Sequence, residues 1–177
     1  LDEASNALSP AMRRLLGDLF ADLHRLEQRI DQVTREIAAI ADREDVARRL
    51  MTIPGVGPVT SVRFVAALDK VERFKTAHAV ASYLGLTPGE NSSSERKQMT
   101  GITKAGSSEV RRTLVQGAWT ILRRFQNSPM GQWARRIAER RGRFIAVVAL
   151  ARKLSGIMFA LWRDGAVYQE VRSAHPL

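Results

Sequence analysis

The sequence predicts a mostly α-helical protein: a long N-terminal coiled-coil helix, then a helical domain containing a helix-hairpin-helix motif. Three observations predict it. Apolar residues from Leu19 to Ile40 recur at alternating spacings of 4 and 3. A Pro-Gly-rich turn, Pro54-Gly55-Val56-Gly57-Pro58, separates two helix-like stretches. After Ser107, apolar segments of helical period follow one another, punctuated by Ser-Pro and Gly.

The first element spans residues 9 to 50. Ser9 is a side-chain cap and Pro10 suits the first helical position. Leu19, Leu23, Leu26, Ile30, Val33, Ile37 and Ile40 form a heptad stripe, which predicts coiled-coil pairing within or between chains. Residues 1–50 are therefore one expected domain and residues 51–177 the other. In the second, helices are expected from Val59 to Leu68 and from Thr76 to Leu84, where Gly85 and Pro88-Gly89 break the pattern. Residues 89–106, rich in Ser, Gly, Lys and Thr, read as a long polar loop or a short hairpin, a natural place for an active site. A helix capped by Ser107 or Ser108 runs to Phe125, a second starts after Asn127-Ser128-Pro129, and a last one runs from Phe144 to Arg163, stopped by Gly165.

The chain has 177 residues, 45% of them hydrophobic, so it can build a core. Lys and Arg number 28 against 18 Asp and Glu, a net charge of +10. Positions 1 to 50 hold 8 basic and 10 acidic residues, whereas positions 96 to 153 hold 14 basic residues and only Glu109 and Glu139 as acids. A one-sided positive field of this kind points to a polyanionic partner, most simply nucleic acid. A membrane surface fits less well, because the cations do not oppose one continuous apolar face. The apolar run Phe144–Leu150 is broken by Arg152 and Lys153, too short to span a bilayer. There is no cysteine, which excludes disulfides, thiolate metal sites and a cysteine nucleophile, and fits a reducing cytoplasm. The polar, acidic start is no signal peptide, and Leu1 in place of Met suggests a piece of a longer protein.

Three motifs carry chemistry. In Gly55-Val56-Gly57 the glycines permit a turn that lets a phosphate approach backbone N–H groups at the next helix start, the logic of a helix-hairpin-helix; the plainer reading is a tight turn. Gly101-Ile102-Thr103-Lys104-Ala105-Gly106 feeds a helix bearing Arg111 and Arg112, so that Lys104 and the arginines can hold phosphate, or can simply be solvated. Asn91-Ser92-Ser93-Ser94-Glu95-Arg96-Lys97 places serines beside cations; a serine nucleophile needs a base or metal and cations to steady the extra charge, and on residues alone the segment reads as a flexible polar loop. His24, His78 and His175 lack ligand spacing, and no set of carboxylates suggests a metal site, so no metal and no cofactor are expected in this chain. Trp119, Trp133 and Trp162 read as core residues. The residues alone also allow a non-catalytic helix-hairpin-helix module for DNA or RNA, or a structural coiled-coil assembly protein with a solvated basic surface.

The run from Met51 to Arg124 resembles the C-terminal transposase domain of the insertion sequence one-ten family of bacterial DNA recombinases. The matching stretches are Thr52-Ile53-Pro54-Gly55-Val56-Gly57-Pro58, Phe74-Lys75, Tyr83-Leu84-Gly85-Leu86-Thr87-Pro88, Ser92-Ser93, Gly101 to Gly106 and Val110-Arg111-Arg112-Thr113-Leu114, with Ala151 to Leu154 through Asp164-Gly165 in the tail. The resemblance implies a serine that attacks DNA and becomes phosphoserine-linked, which motif matching puts at Ser93. Ser94 stands where the family usually has glycine, leaving Ser92 and Ser94 as alternative registers. From the residues, the expected DNA contacts are Arg96, Lys97, Lys104, Arg111 and Arg112, with Gly55, Val56 and Gly57 either binding backbone or bracing the fold. The resemblance further implies a RuvC-like domain elsewhere in the parent protein that binds magnesium through four acids; a guide RNA; homodimers or higher oligomers; and a bacterial cytoplasmic setting. The fragment by itself is expected to be inactive.

Overall fold

A computed structural model describes residues 8–93 and 96–170, and between 90 and 100 it describes the backbone alone. The protein is mostly α: α1 Pro10–Arg43, α2 Asp45–Leu50, α3 Pro58–Leu68, a short 3-10 turn Val71–Arg73, α4 Ala77–Tyr83, α5 Ser108–Arg124, α6 Pro129–Arg141 and α7 Arg143–Asp164, with a two-stranded hairpin of β1 Pro88–Ser93 and β2 Arg96–Ile102 between α4 and α5. Two compact units divide at residue 39, Leu1–Ala39 and Ile40–Leu177.

The first unit holds α1 as far as Ala39, with the heptad stripe from Leu19 to Ile37 along it. Leu23, Leu26 and Ile30 are 51–63% exposed. The single helix expected over residues 9–50 is in fact two. It ends at Arg43, Glu44 is extended, and α2 restarts at Asp45. The reason is in the heptad itself: after Ile37 and Ile40 the rhythm calls for an apolar residue at 44, and the sequence supplies Glu44. The break frees Ala47 and Leu50 to enter the core, where both are buried.

The second unit is built around α7, which packs against α2, α4, α5 and α6. Its buried side chains include Val147, Leu150, Leu154, Met158 and Phe159. The apolar stretch does not stop at Arg152 and Lys153, as the sequence reading had it. α7 has 22 residues and is long and apolar enough, by length and composition, to cross a membrane. Here that apolarity is that of a core helix touched on several sides. Local signals set the helix ends. Thr76 accepts from the Ala79 N–H at 3.1 Å, Ser107 from Val110 at 3.4 Å and Ser128 from Gly131 at 3.1 Å, and Gly165 closes α7 in the left-handed region. The tryptophans edge the core: Trp119, Trp133 and Trp162 are partly buried against it.

Candidate functional site

The polar segment 89–106 is the hairpin, not a loop. Its strands pair antiparallel, Pro88 with Ile102, Asn91 with Gln98, Ser92 with Lys97 and Ser93 with Arg96, with an irregularity between Pro88 and Glu90. Ser93 thus occupies the last described rung of β1, facing Arg96 across the ladder. Ser94 and Glu95 lie outside the described residues, as do the side chains of Ser92, Ser93, Arg96 and Lys97.

An isolated two-stranded ribbon is marginal in water, so its foot must be held. The Thr103 N–H donates to the Thr87 carbonyl at 2.9 Å and the Lys104 N–H to Gly85 at 3.1 Å. Nη1 of Arg111, on the first turn of α5, donates to the carbonyls of Ala105 at 2.6 Å, Gly106 at 3.1 Å and Leu84 at 3.2 Å. One guanidinium nitrogen thereby ties the end of α4 to the strand leaving the hairpin. The approach is close enough that glycine is required on both sides. A Cβ on Gly85 would collide with the Ala105 backbone, one on Gly106 with the Tyr83 carbonyl, and both residues have positive φ.

The other sequence-predicted residues sort differently. Lys104 is exposed and holds a left-handed backbone, φ +58°, uncommon for a residue with a Cβ. Arg112 points to Glu109 at 3.4 Å, which also meets Arg63 at 3.5 Å, both solvent-exposed pairs of small energetic weight. In the Pro-Gly turn between α2 and α3, Gly55 has φ +82° and lies against Gly117 and Ile121 of α5, while Val56 is buried. At Gly57, the residue before α3, a Cβ would meet nothing within 4 Å. The turn therefore has an inward glycine that braces the fold and an outward one at a helix start. Lys104 and Arg111 come together at the hairpin foot; Gly117, the partner of Gly55, sits about 9 Å farther along α5 than Arg111.

Among the described residues no three of His, Asp and Glu come together in a way that could hold a metal ion. His24 lies within 3.1 Å of Gln28 and His78 within 3.2 Å of Arg152; His175 lies outside the described residues. What sequence reasoning missed is the task of Arg111. Its signal was faint: an arginine four residues after the Ser107 cap, one helical turn above the incoming loop.

The sequence that builds this hairpin and the basic helices around it has relatives among known proteins. Residues 47–134 match the family described as Transposase IS116/IS110/IS902 family. The chain is 32% identical over 164 residues to the transposase for insertion sequence element IS1111A of Coxiella burnetii, covering 92% of this chain and 45% of that protein. It is 30% identical over 164 residues to a probable family 20 transposase of Pseudomonas aeruginosa, covering 92% of this chain and 48% of the relative. With the transposase for insertion sequence element IS1328 of Yersinia enterocolitica the identity is 28% over 165 residues, covering 92% and 49%. These matches make residues 47–134, which lie within the second unit, a transposase domain. The chain carries the transposase domain of the IS116/IS110/IS902 family, and it spans a little under half the length of these curated relatives.

Proposed function

We propose that this chain is the C-terminal part of a bacterial insertion-sequence transposase, a DNA recombinase that supplies Ser93 as the nucleophile of strand transfer. The observation that carries the reading is the family match over residues 47–134, which encloses the Ser92-Ser93 motif, the Gly101–Gly106 segment and Arg111-Arg112. The hairpin geometry supports it: Ser93 stands opposite Arg96 on a ribbon whose foot is fixed. In the reaction, Ser93 Oγ attacks a DNA phosphorus, the bond to one deoxyribose oxygen breaks, and the serine proton leaves as the departing oxygen gains one. A second hydroxyl then attacks the phosphoserine and restores the serine. Arg96, Lys97 and Lys104 supply positive charge for the phosphate and its neighbours, and Arg112 and the Gly55-Val56-Gly57 turn at the start of α3 contact backbone in the manner of a helix-hairpin-helix. Arg111 adds charge there while holding the hairpin foot.

The parent protein brings a RuvC-like domain with its magnesium, and a guide RNA, in the cytoplasm of a bacterium. The exposed stripe of α1 supports pairing of copies through a coiled coil. The test uses the full-length protein with guide RNA, magnesium and a nicked DNA that traps covalent intermediates. A protein–DNA adduct on a denaturing gel should vanish in Ser93→Ala and persist in Ser92→Ala and Ser94→Ala. An adduct untouched by Ser93→Ala moves the nucleophile elsewhere. Tight DNA binding with no adduct leaves a non-catalytic nucleic-acid module as the better account.

A further inference from the structure

Between α4, the foot of the hairpin and the N-terminal half of α7 lies an open groove of about 960 Å³. Its lining is mainly apolar, with Leu86, Ile102, Ile145, Val148 and Ala149 among its residues. Its charged lining residues are all cations, Lys104, Arg141, Arg152 and Lys153, and no carboxylate is among them. Two of these are held in place. Arg152 Nη2 lies 3.2 Å from His78 Nδ1, and Lys153 Nζ sits 4.4 Å from the centre of the Trp133 ring. Phe144, also lining the groove, is 81% exposed, the most exposed large apolar side chain among the described residues, and meets Trp119 edge-on at 6.1 Å between ring centres.

We propose that this groove binds a short run of unpaired nucleotides. The inference rests on the nucleic-acid half of the reading above, not on Ser93. Cations at the edge of an apolar, aromatic-flanked trough match the chemistry of a single strand, which presents phosphates on one side and stackable base faces on the other. A duplex offers the phosphates but keeps its base faces stacked, so it has nothing for the apolar lining. The basic half of a second copy is a poor occupant, because positions 96 to 153, with 14 basic residues against Glu109 and Glu139, would bring cations against cations. The groove is not where the phosphodiester reacts. Five residue steps along β1 lead from Pro88, in its wall, to Ser93, about 17 Å along a strand. The groove would hold the strand that flanks the reacting phosphate.

The experiment is fluorescence anisotropy of the 177-residue chain with a short labelled single strand and with the duplex of the same sequence, over a salt series. Phe144→Ala should weaken the single strand about tenfold, within the range for loss of one stacking platform, and leave the duplex within about twofold. Phe144→Trp should restore binding. Since Phe144 is largely exposed, circular dichroism should show both variants folded. Arg141→Gln with Arg152→Gln should lower the single-strand salt slope by about 1.4, two phosphate contacts at about 0.7 each. Tight duplex binding with Phe144→Ala neutral toward both ligands, or weakening both equally, overturns the groove alone. Failure of the wild-type chain to bind either ligand overturns the groove and the nucleic-acid reading together.

Discussion

Gly55 and Gly117 clear space for each other. A Cβ built on Gly55 would lie 2.8 Å from the Gly117 carbonyl oxygen, and one built on Gly117 would lie 2.8 Å from the Gly55 oxygen. The turn before α3 and the middle of α5 thus touch backbone to backbone. In a helix interior Gly→Ala ordinarily stabilises by about 1 kcal/mol. Gly117→Ala should instead destabilise, because the obstacle is backbone and cannot rotate away, and overpacking of this kind costs about 1–3 kcal/mol. Gly55→Ala should be worse, since its φ of +82° adds a left-handed penalty of about 1–2 kcal/mol. Urea denaturation of both variants measures this; a Gly117→Ala protein more stable than wild type would show that the approach is slack.

Arg111, on α5, reaches the carbonyl of Leu84 at the end of α4 and those of Ala105 and Gly106 at the exit of the hairpin. Lysine keeps the charge but lacks the planar fork, so Arg111→Lys should not replace it. Arg111→Lys and Arg111→Ala should each lose about 2 kcal/mol, in the range for hydrogen bonds to a charged group. The two should speed amide hydrogen exchange at Thr103 and Lys104 more than in the α6 and α7 core. Exchange measured by mass spectrometry tests this. Uniform acceleration across the domain would mean that Arg111 supports global stability and has no special hold on the hairpin.

The parts legible in the sequence were those whose cause is local. Thr76 was readable as a cap and Ser107 as one of two candidates with Ser108, because a capping side chain and the N–H it satisfies lie three apart; Asn127-Ser128-Pro129 was readable as a helix boundary, and Gly165 as a stop because a left-handed helix end favours glycine. The hairpin was open between loop and ribbon because its Ser, Gly and Lys content is that of a loop, and only cross-strand pairing makes it a sheet. The break at Glu44 was not read, because neither Gly nor Pro marks it; only the loss of the heptad's apolar residue at that position does. The clamp made by Arg111 was not legible, because its acceptors are backbone carbonyls, one of them 27 residues away, and any sequence supplies carbonyls. For the same reason the inward face of Gly55 could not be told from the outward face of Gly57 before α5 was placed beside them.

Lys104 holds a left-handed backbone at the hairpin foot, where its N–H reaches the Gly85 carbonyl. A non-glycine residue there is strained by about 1–2 kcal/mol. Lys104→Gly should therefore raise the melting temperature, or at least not lower it, while removing a cation. If Lys104 contacts phosphate, the same variant should weaken nucleic-acid binding and reduce the salt slope by about 0.7–0.9. Stability and binding would then move in opposite directions. Loss of stability with unchanged binding would mean that the side chain packs and does not bind.

Along α1, Leu19, Leu23, Leu26 and Ile30 are each more than half exposed. Helices with such a stripe are stable in water chiefly when the stripe is covered, and a 34-residue helix has room for several heptads. If copies pair through it, Leu26→Lys should weaken the dimer strongly. Burial of one leucine is worth about 1.5–3 kcal/mol, and a dimer loses two, so the dissociation constant should rise at least a hundredfold. The second unit should keep its fold, because Leu26 lies in the first. Sedimentation equilibrium of wild type and variant, with helical content followed by circular dichroism, is the test. A wild-type dimer converted to monomer, with loss of helix matching α1 alone, supports the coiled coil. A wild-type chain that is monomeric at the same concentrations would leave the stripe to a partner other than a second copy, and a dimer indifferent to Leu26→Lys would place self-association on another surface.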